Sequence, residues 1–456
     1  MIMIEYKEDK LQTYKRIWVV ALPIILQNVI DAAVNSVDVL MLNTVGQNAI
    51  SAVSLANSMG GIMFMFLYGI GTGISMLAAQ YYGKGDLKTI EKIEGIGLKY
   101  ALSVGAAGML AYIFIPRQLM YIYTSDPVLI DIGKDYLRLM APGLIFWAVS
   151  AVYMSILRCT GKVSTSTILE TVALFCNVCL NAVFIFGLFG MPKMGVRGVA
   201  IATSISRLIQ LLGCVYVSYK DAPVKLTLRP MFEKHELLQK DFFTMALPAI
   251  GNDLVWSLGF SMYSVILGHM GNDAVAAYSI VNVVRNLGCV LCYGIASASG
   301  IIVGQILGEG KRERGIYMGH VLLRLSVVTG AIGGGVVGLI MPFAMRNASL
   351  TPTALDYLKF MLLINIYYIM GTAVNSTLIA GIFRAGGDSK FGFKCDTIDM
   401  WCYAVPLGLL AAFVFKLPVK VVYFLLCTDE FVKWPWVLKR FYSYKWANNI
   451  TRENIQ

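Results

Sequence analysis

The sequence predicts an all-α polytopic membrane protein of about twelve transmembrane helices in two pseudo-symmetric six-helix lobes. Three observations predict it. Of 456 residues, 57% are hydrophobic and only 14% charged, with mean hydropathy +0.67. A water-soluble domain carries more charge and cannot hide so much apolar surface. Apolar runs of about 20 residues, the length that crosses a bilayer, alternate with short charged clusters. Finally, the two halves of the chain repeat one another.

The predicted spans, each bounded by charged or Gly/Pro-marked breaks, run in order. In the first half they cover 17–42, 49–80, 93–116, 128–157, 164–189 and 196–218. In the second half they cover 242–267, 274–306, 316–341, 353–382, 394–415 and 418–438. The net charge of +11 is not a nucleic-acid signature, because the basic residues cluster between apolar runs, as the positive-inside rule expects. Lys84/Lys88/Lys92, Lys220/Lys225/Arg229 and Lys311/Arg312/Arg314 fall on one side with Lys7, Lys10, Lys15 and Arg16, while the opposite loops hold few such residues. This places both termini in the cytoplasm. The N-terminal segment reads as lacking a cleavable signal.

A polar stretch, 219–241, reads as a cytoplasmic linker between an N-terminal lobe, 1–218, and a C-terminal lobe with a tail, 242–456. The segment from Ala21 aligns without a gap with the segment from Ala246. Pro23 meets Pro248, Gly46 meets Gly271, Asn57 meets Asn282, and Gly83/Gly85 meet Gly308/Gly310. Further on, Arg158-Cys-Thr-Gly161 echoes Arg384-Ala-Gly-Gly387. Halves with an even number of spans enter from the same side, so the repeat is parallel, the symmetry that alternating access requires. Channels and scaffolds can also be duplicated, but a transporter is the better expectation.

Ionisable residues within spans are functional candidates, since insertion costs about 2.5–3.5 kcal/mol at mid-bilayer. Asn28, Asp31, Asn35 and Asp38 are spaced along one face of the first span. Such a stripe faces protein or water, not lipid. Counted from the outer ends, Asp38, Asn177/Asn181 on the fifth span and Thr203 on the sixth lie at similar depth. A carboxylate with neutral oxygens suits a hard monovalent cation such as Na+ at Asp38, Asn181 and Thr203, and equally suits a proton. Interhelical hydrogen bonding alone is the competing reading.

Arg207 is expected to pair with Glu170 in preference to snorkelling or contacting an anionic substrate. Asp253, Arg285, Asp396 and Asp399 are candidates for a second charge network. Tyr68, Trp256 and Tyr293 are candidates to line a cavity with Asn28, Asp31, Asn35, Arg207 and Asp253, although such aromatics are often plain core.

No metal motif surrounds the three histidines, and Cys176/Cys179 and Cys289/Cys292 read as small buried hydrophobes. No P-loop is present, which disfavours ATP-driven transport. No cofactor is expected beyond a coupling ion, and nothing in the spacing suggests an enzyme's catalytic group.

The stretches ALPIILQNVIDAAVNSVDVLML, GTGISMLAAQYYGKGD, NVCLNAVFIFGLFGMPKMGVRGVAIATSISR and IFRAGGDSK resemble, in this order, the multidrug and toxic compound extrusion (MATE) transporters. The resemblance covers essentially the whole chain and leans to the bacterial DNA-damage-inducible-type branch. It implies twelve helices in two lobes forming a V. It also implies export of organic, often cationic, compounds in exchange for Na+ or H+, by a protein that works as a monomer. The family's cation-site positions fall on Asp38, Asn177, Asn181 and Thr203. Some relatives carry aspartate where this chain has Asn181. Others use C-lobe carboxylates at positions that fall on about Trp256 and Ala373 here, and Arg207 replaces a commonly neutral residue. A lipid-linked saccharide flippase of the same superfamily is the near alternative, and a membrane-embedded enzyme the distant one.

Overall fold

The computed structural model describes residues 10–348 and 350–453, without the side chains of residues 35, 36, 39, 40 and 43. Among these residues the regular structure is all helical. α1 (Lys10–Asn43), α2 (Gln47–Lys84), α3 (Leu87–Phe114), the short α4 (Pro116–Tyr121), α5 (Pro127–Cys159), α6 (Val163–Phe186) and α7 (Val196–Lys220) form the first series. α8 (Glu236–His269), α9 (Asn272–Gly308), α10 (Arg312–Asn347) and α11 (Pro352–Asn375) open the second. α11 runs on through π-helical Ser376–Phe383. α12 (Ser389–Thr397) runs on through π-helical Ile398–Ala404, α13 (Val405–Leu409) and π-helical Leu410–Val414.

Ten helices among the described residues are long and apolar enough to cross a membrane. The predicted seventh span lies within α8. The predicted twelfth, 418–438, is broken into α14 (Val419–Leu426), α15 (Asp429–Val432) and α16 (Trp434–Tyr442). The break has a local cause. Pro435 lies at the start of α16, where its ring and missing N–H are tolerated, but it cannot continue a helix arriving from α15.

Helix starts follow ordinary capping chemistry. The Asp86 side chain accepts from the Thr89 N–H at the start of α3, and Asp126 accepts from Val128 before α5. Thr351 accepts from Ala354 before α11. Each satisfies an amide that the first turn leaves unpaired. The repeat is visible in the backbone. Gly46 and Gly271 have φ of 127° and 129°, Gly85 and Gly310 81° and 77°, and Gly161 and Gly387 81° and 79°. Only glycine adopts these conformations without strain.

The chain forms two compact units. One comprises 26–82 and 86–243, the other 83–85 and 244–452 together with the described part of α1 up to Ile25. In the first, α5 packs on α3 and α7, around Tyr112, Tyr136, Leu137, Leu144 and Val199. In the second, α9, α10 and α11 pack together. Its two cores are built on Tyr263, Tyr368 and Tyr423, and on Ile302, Leu322, Phe383 and Trp446.

Candidate functional site

Three helices of the first unit bring the candidate polar residues together. Asn177 and Asn181 stand one turn apart on α6, so both amides point to one side. Asn181 Nδ2 donates to Asp38 Oδ1 at 2.9 Å and to Asn177 Oδ1 at 3.2 Å. Asn177 Nδ2 in turn reaches Thr203 Oγ1 at 3.3 Å and Ser206 Oγ at 3.4 Å on α7. Thr203 donates its own proton to the Val199 carbonyl, leaving one lone pair beyond the one Asn177 uses.

Asn181 is only 1% exposed, and its Oδ1 has no hydrogen-bond partner. A buried acceptor without a donor is costly. Such an oxygen is chemically suited to ligate a cation or to accept a hydrogen bond from a protonated carboxyl. The donor set is all oxygen, with one charge, and fits a monovalent alkali ion. Among the described residues no three His, Cys, Asp or Glu converge as a metal site. No cysteine among the described residues is in a disulfide; Cys289 and Cys292 are buried, as expected, but Cys179 is exposed and Cys176 only partly buried.

Deeper in the same unit, Arg207 Nη1 lies 3.3 Å from Glu170 Oε1 and donates to Gln210 Oε1 at 2.9 Å. Its guanidinium stands 5.3 Å from the Trp147 ring. Trp147 stacks on Phe64, and Phe64 on Tyr68. Asp31 feels the charges of Glu170, Arg207 and Arg158, so the α1 stripe runs from this pair to the Asp38 site. Asn28 is partly buried on that stripe, and Asn35 lies outside the described side chains.

Of the second-unit candidates, Asp253, Asp396 and Asp399 fall in two linked charge groups, and Arg285 in neither. Asp253 pairs with Arg384 at 2.6 Å, while Asp396 and Asp399 face Lys433 at 3.2 and 3.6 Å. Asn252 joins the two groups, accepting from Arg384 and donating to Asp396. Arg285 belongs to neither group. It lies 4.5 Å from the Phe260 ring, amid Tyr278, Tyr293, Tyr368 and Tyr423. Trp256 packs on Phe260 at 4.4 Å. Sequence reasoning missed Asp429, Glu430 and Lys433. The available signal was TDEFVK inside a predicted span, with acids three and four residues before a lysine.

With this geometry in view, comparisons with known proteins are specific. The MatE family model matches residues 23–185 and again 248–410, once for each repeat. The chain belongs to the MatE family. This MATE chain is 25% identical to a probable multidrug resistance protein NorM of Thermotoga maritima, over 99% of this chain and 97% of the relative. It is 26% identical to the probable multidrug resistance protein YoeA of Bacillus subtilis, over 91% of each. A solved MOP superfamily transporter from Pyrococcus furiosus shares the fold with a TM-score of 0.84 and 19% identity, covering 95% of this chain and 97% of that one. MATE proteins are multi-pass membrane transporters, not enzymes, and this chain is one of them.

Proposed function

We propose that this MATE chain is a secondary active efflux transporter that exchanges Na+ or H+ for organic, often cationic, drug-like compounds by alternating access. The observation that carries the reading is the Asp38–Asn181–Asn177–Thr203 chain with the unpartnered Asn181 oxygen. A cation or proton there stabilises whichever conformation best encloses it, and organic substrate from the other side favours the alternative. Only such differential binding can drive the cycle. The family's multidrug relatives support the substrate class. The chain would act as a monomer in a bacterial cytoplasmic membrane, with both termini cytoplasmic and its two six-helix lobes rocking about a pseudo-two-fold axis along the membrane normal.

A second reading, export of an anionic lipid-linked saccharide, draws on Arg285, which has no ion-pair partner among the described residues. One experiment separates the two. Purified protein in liposomes is given ethidium under an imposed Na+ gradient or pH gradient, alongside Asp38→Asn. Gradient-driven ethidium movement that Asp38→Asn loses supports antiport. Equal movement by both proteins under either gradient removes Asp38 from the coupling role, and none by wild type sinks the antiport reading.

A further inference from the structure

The second unit encloses a group of charges that the cycle above does not use. Lys433, whose side chain is 2% exposed, lies between α15 and α16. Its Nζ stands 3.2 Å from Asp396 Oδ1, 3.1 Å from Glu430 Oε2 and 3.6 Å from Asp399 Oδ2. Asp429, fully buried, interacts with the same ammonium and accepts from the Tyr368 hydroxyl at 3.2 Å. Asn375 and Thr372 on α11 donate to Glu430, and Asn252 on α8 donates to Asp396. Four carboxylates thus face one ammonium, and full ionisation would leave three uncompensated negative charges in the interior of a membrane protein.

An independent observation points to what is missing. Asn375, 3% exposed and directed at Glu430, has an Oδ1 with no donor. Both oxygens of Asp399 and Oδ1 of Asp429 also lack hydrogen-bond partners. The pentad is short of donors as well as of positive charge. A proton on a carboxylate supplies both at once. A metal ion does not fit, because the ammonium already occupies the place among three carboxylates that such an ion would take.

The internal repeat sharpens the point. In the register that sets Arg158 on Arg384, Glu170 falls on Asp396 and Arg207 on Lys433. Both units therefore carry the same acid–base pair, at 3.3 and 3.2 Å. The surplus acids Asp399, Asp429 and Glu430 fall on Ala173, Thr203 and Ser204. The excess charge belongs to the second half alone.

We propose that the Asp396–Asp399–Asp429–Glu430–Lys433 pentad is a proton-exchanging site of the C-terminal unit. A proton passes from water to a carboxylate oxygen, forming an O–H bond, and returns to water when the unit opens to the other side. The inference rests on the antiport reading and names H+ as an ion this unit takes. The titratable groups facing the pentad are Tyr263 from α8, Cys289 and Tyr293 from α9, Tyr368 from α11, Cys395 from α12 and Cys427 after α14. None is a second cation. Of the arginines, Arg384 is engaged by Asp253, while Arg285 on α9 acts on the same Cys289, Tyr293, Tyr368 and Cys427 and, among the described residues, forms no ion pair with the acids.

The test uses the full chain in liposomes with ethidium, in Na+-free buffer, with Asp399→Asn and Glu430→Gln. Each variant is expected to lose about tenfold or more of the uptake driven by a pH gradient, while ethidium counterflow without a gradient persists. In parallel, the infrared carbonyl band of protonated carboxyls is followed in wild type between about pH 5 and 9. It is expected to titrate and to shrink in both variants. Variants that keep full pH-driven uptake, or wild type with no titrating band, overturn the proposal. Should wild type respond to no gradient, the antiport reading fails by itself, and the band still decides whether the pentad carries protons. If one variant does not fold, the wild-type band and its loss in the other variant carry the test.

Discussion

The two units solve the same problem, a carboxylate inside a membrane, in opposite ways. In the first, Asp38 is partly buried, away from any cation among the described residues, and is held by the Asn181 amide. In the second, the acids are buried, crowded, and gathered on an ammonium. The repeat makes the contrast residue-specific. In the register that sets Pro23 on Pro248, the stripe Asn28, Asp31, Asn35 and Asp38 falls on Asp253, Trp256, Phe260 and Tyr263. Where the first half has an acid on its opening helix and a hydroxyl at Thr203, the second has Tyr263 on its opening helix and an acid at Asp429. Carboxylate and hydroxyl have exchanged helices. A shared backbone therefore does not impose shared ion chemistry. Side chains that exchange roles across a pseudo-symmetric site can present one half to a cation and the other to protons.

The largest expected effect breaks the acid–base pairs. Lys433→Leu leaves four buried acids without their cation and is expected to destabilise the protein by about 3–5 kcal/mol. Arg207→Leu strands one acid, Glu170, whose side chain is 15% exposed, and is expected to cost less. Thermal melting of the detergent-solubilised proteins compares them. Equal losses would mean that the surplus acids carry no electrostatic weight. Adding Asp399→Asn to Lys433→Leu is expected to recover part of the loss.

A smaller effect follows from importing the second unit's logic into the first. Asn181→Asp sets a second carboxylate beside Asp38 and is expected to tighten Na+ binding by about tenfold, since ligand charge tunes such sites. Isothermal titration with NaCl measures it, and an unchanged affinity would place the ion elsewhere. Smaller again, Gly46→Ala and Gly271→Ala should cost similar amounts, about 1–3 kcal/mol each. At both positions a Cβ would meet nothing within 4 Å, so only the positive φ opposes it. Melting temperatures that differ widely between the two would break the symmetry argument.

The smallest effect lies outside the spans. Burial, and then the charge of Lys92, hold the His235 imidazole below its ordinary pKa. The folded state thus binds this proton less readily than the unfolded state, and stability falls as pH drops through the ordinary histidine range. His235→Gln is expected to flatten that slope slightly in melting curves recorded between about pH 7.5 and 5.5. An unchanged slope would remove the histidine from the account.

Much of this was legible in the residues. Span periodicity and the repeat pointed to the helical architecture. Matching depth along three spans picked out Asp38, Asn177, Asn181 and Thr203, which do meet in the structure, because an i, i+4 pair fixes a face and an outer end fixes a level. The Lys433 pentad was not legible. Its lysine sits where a span end and a basic flank look alike, and its acids come from α12 and α15, whose proximity depends on a broken last span. Nor could the sequence assign Asp253 to Arg384, since the two lie 131 residues apart, on α8 and just after Ser376–Phe383, and a hydropathy pattern says nothing of pairing between spans. The division of α1 at Ile25 between the units is likewise a matter of packing, invisible to a hydropathy count.

Lys433 has one more consequence. It is a counter-ion that cannot leave, because its stem joins it to the chain three residues from one of its partners, Glu430. Its effective concentration at the acids is fixed by that tether and not by the medium. Dissolved salt ions, screened and kept out while the site is closed, compete poorly for it. The C-terminal unit therefore has an internal electrolyte of its own, set at synthesis and indifferent to the salt outside.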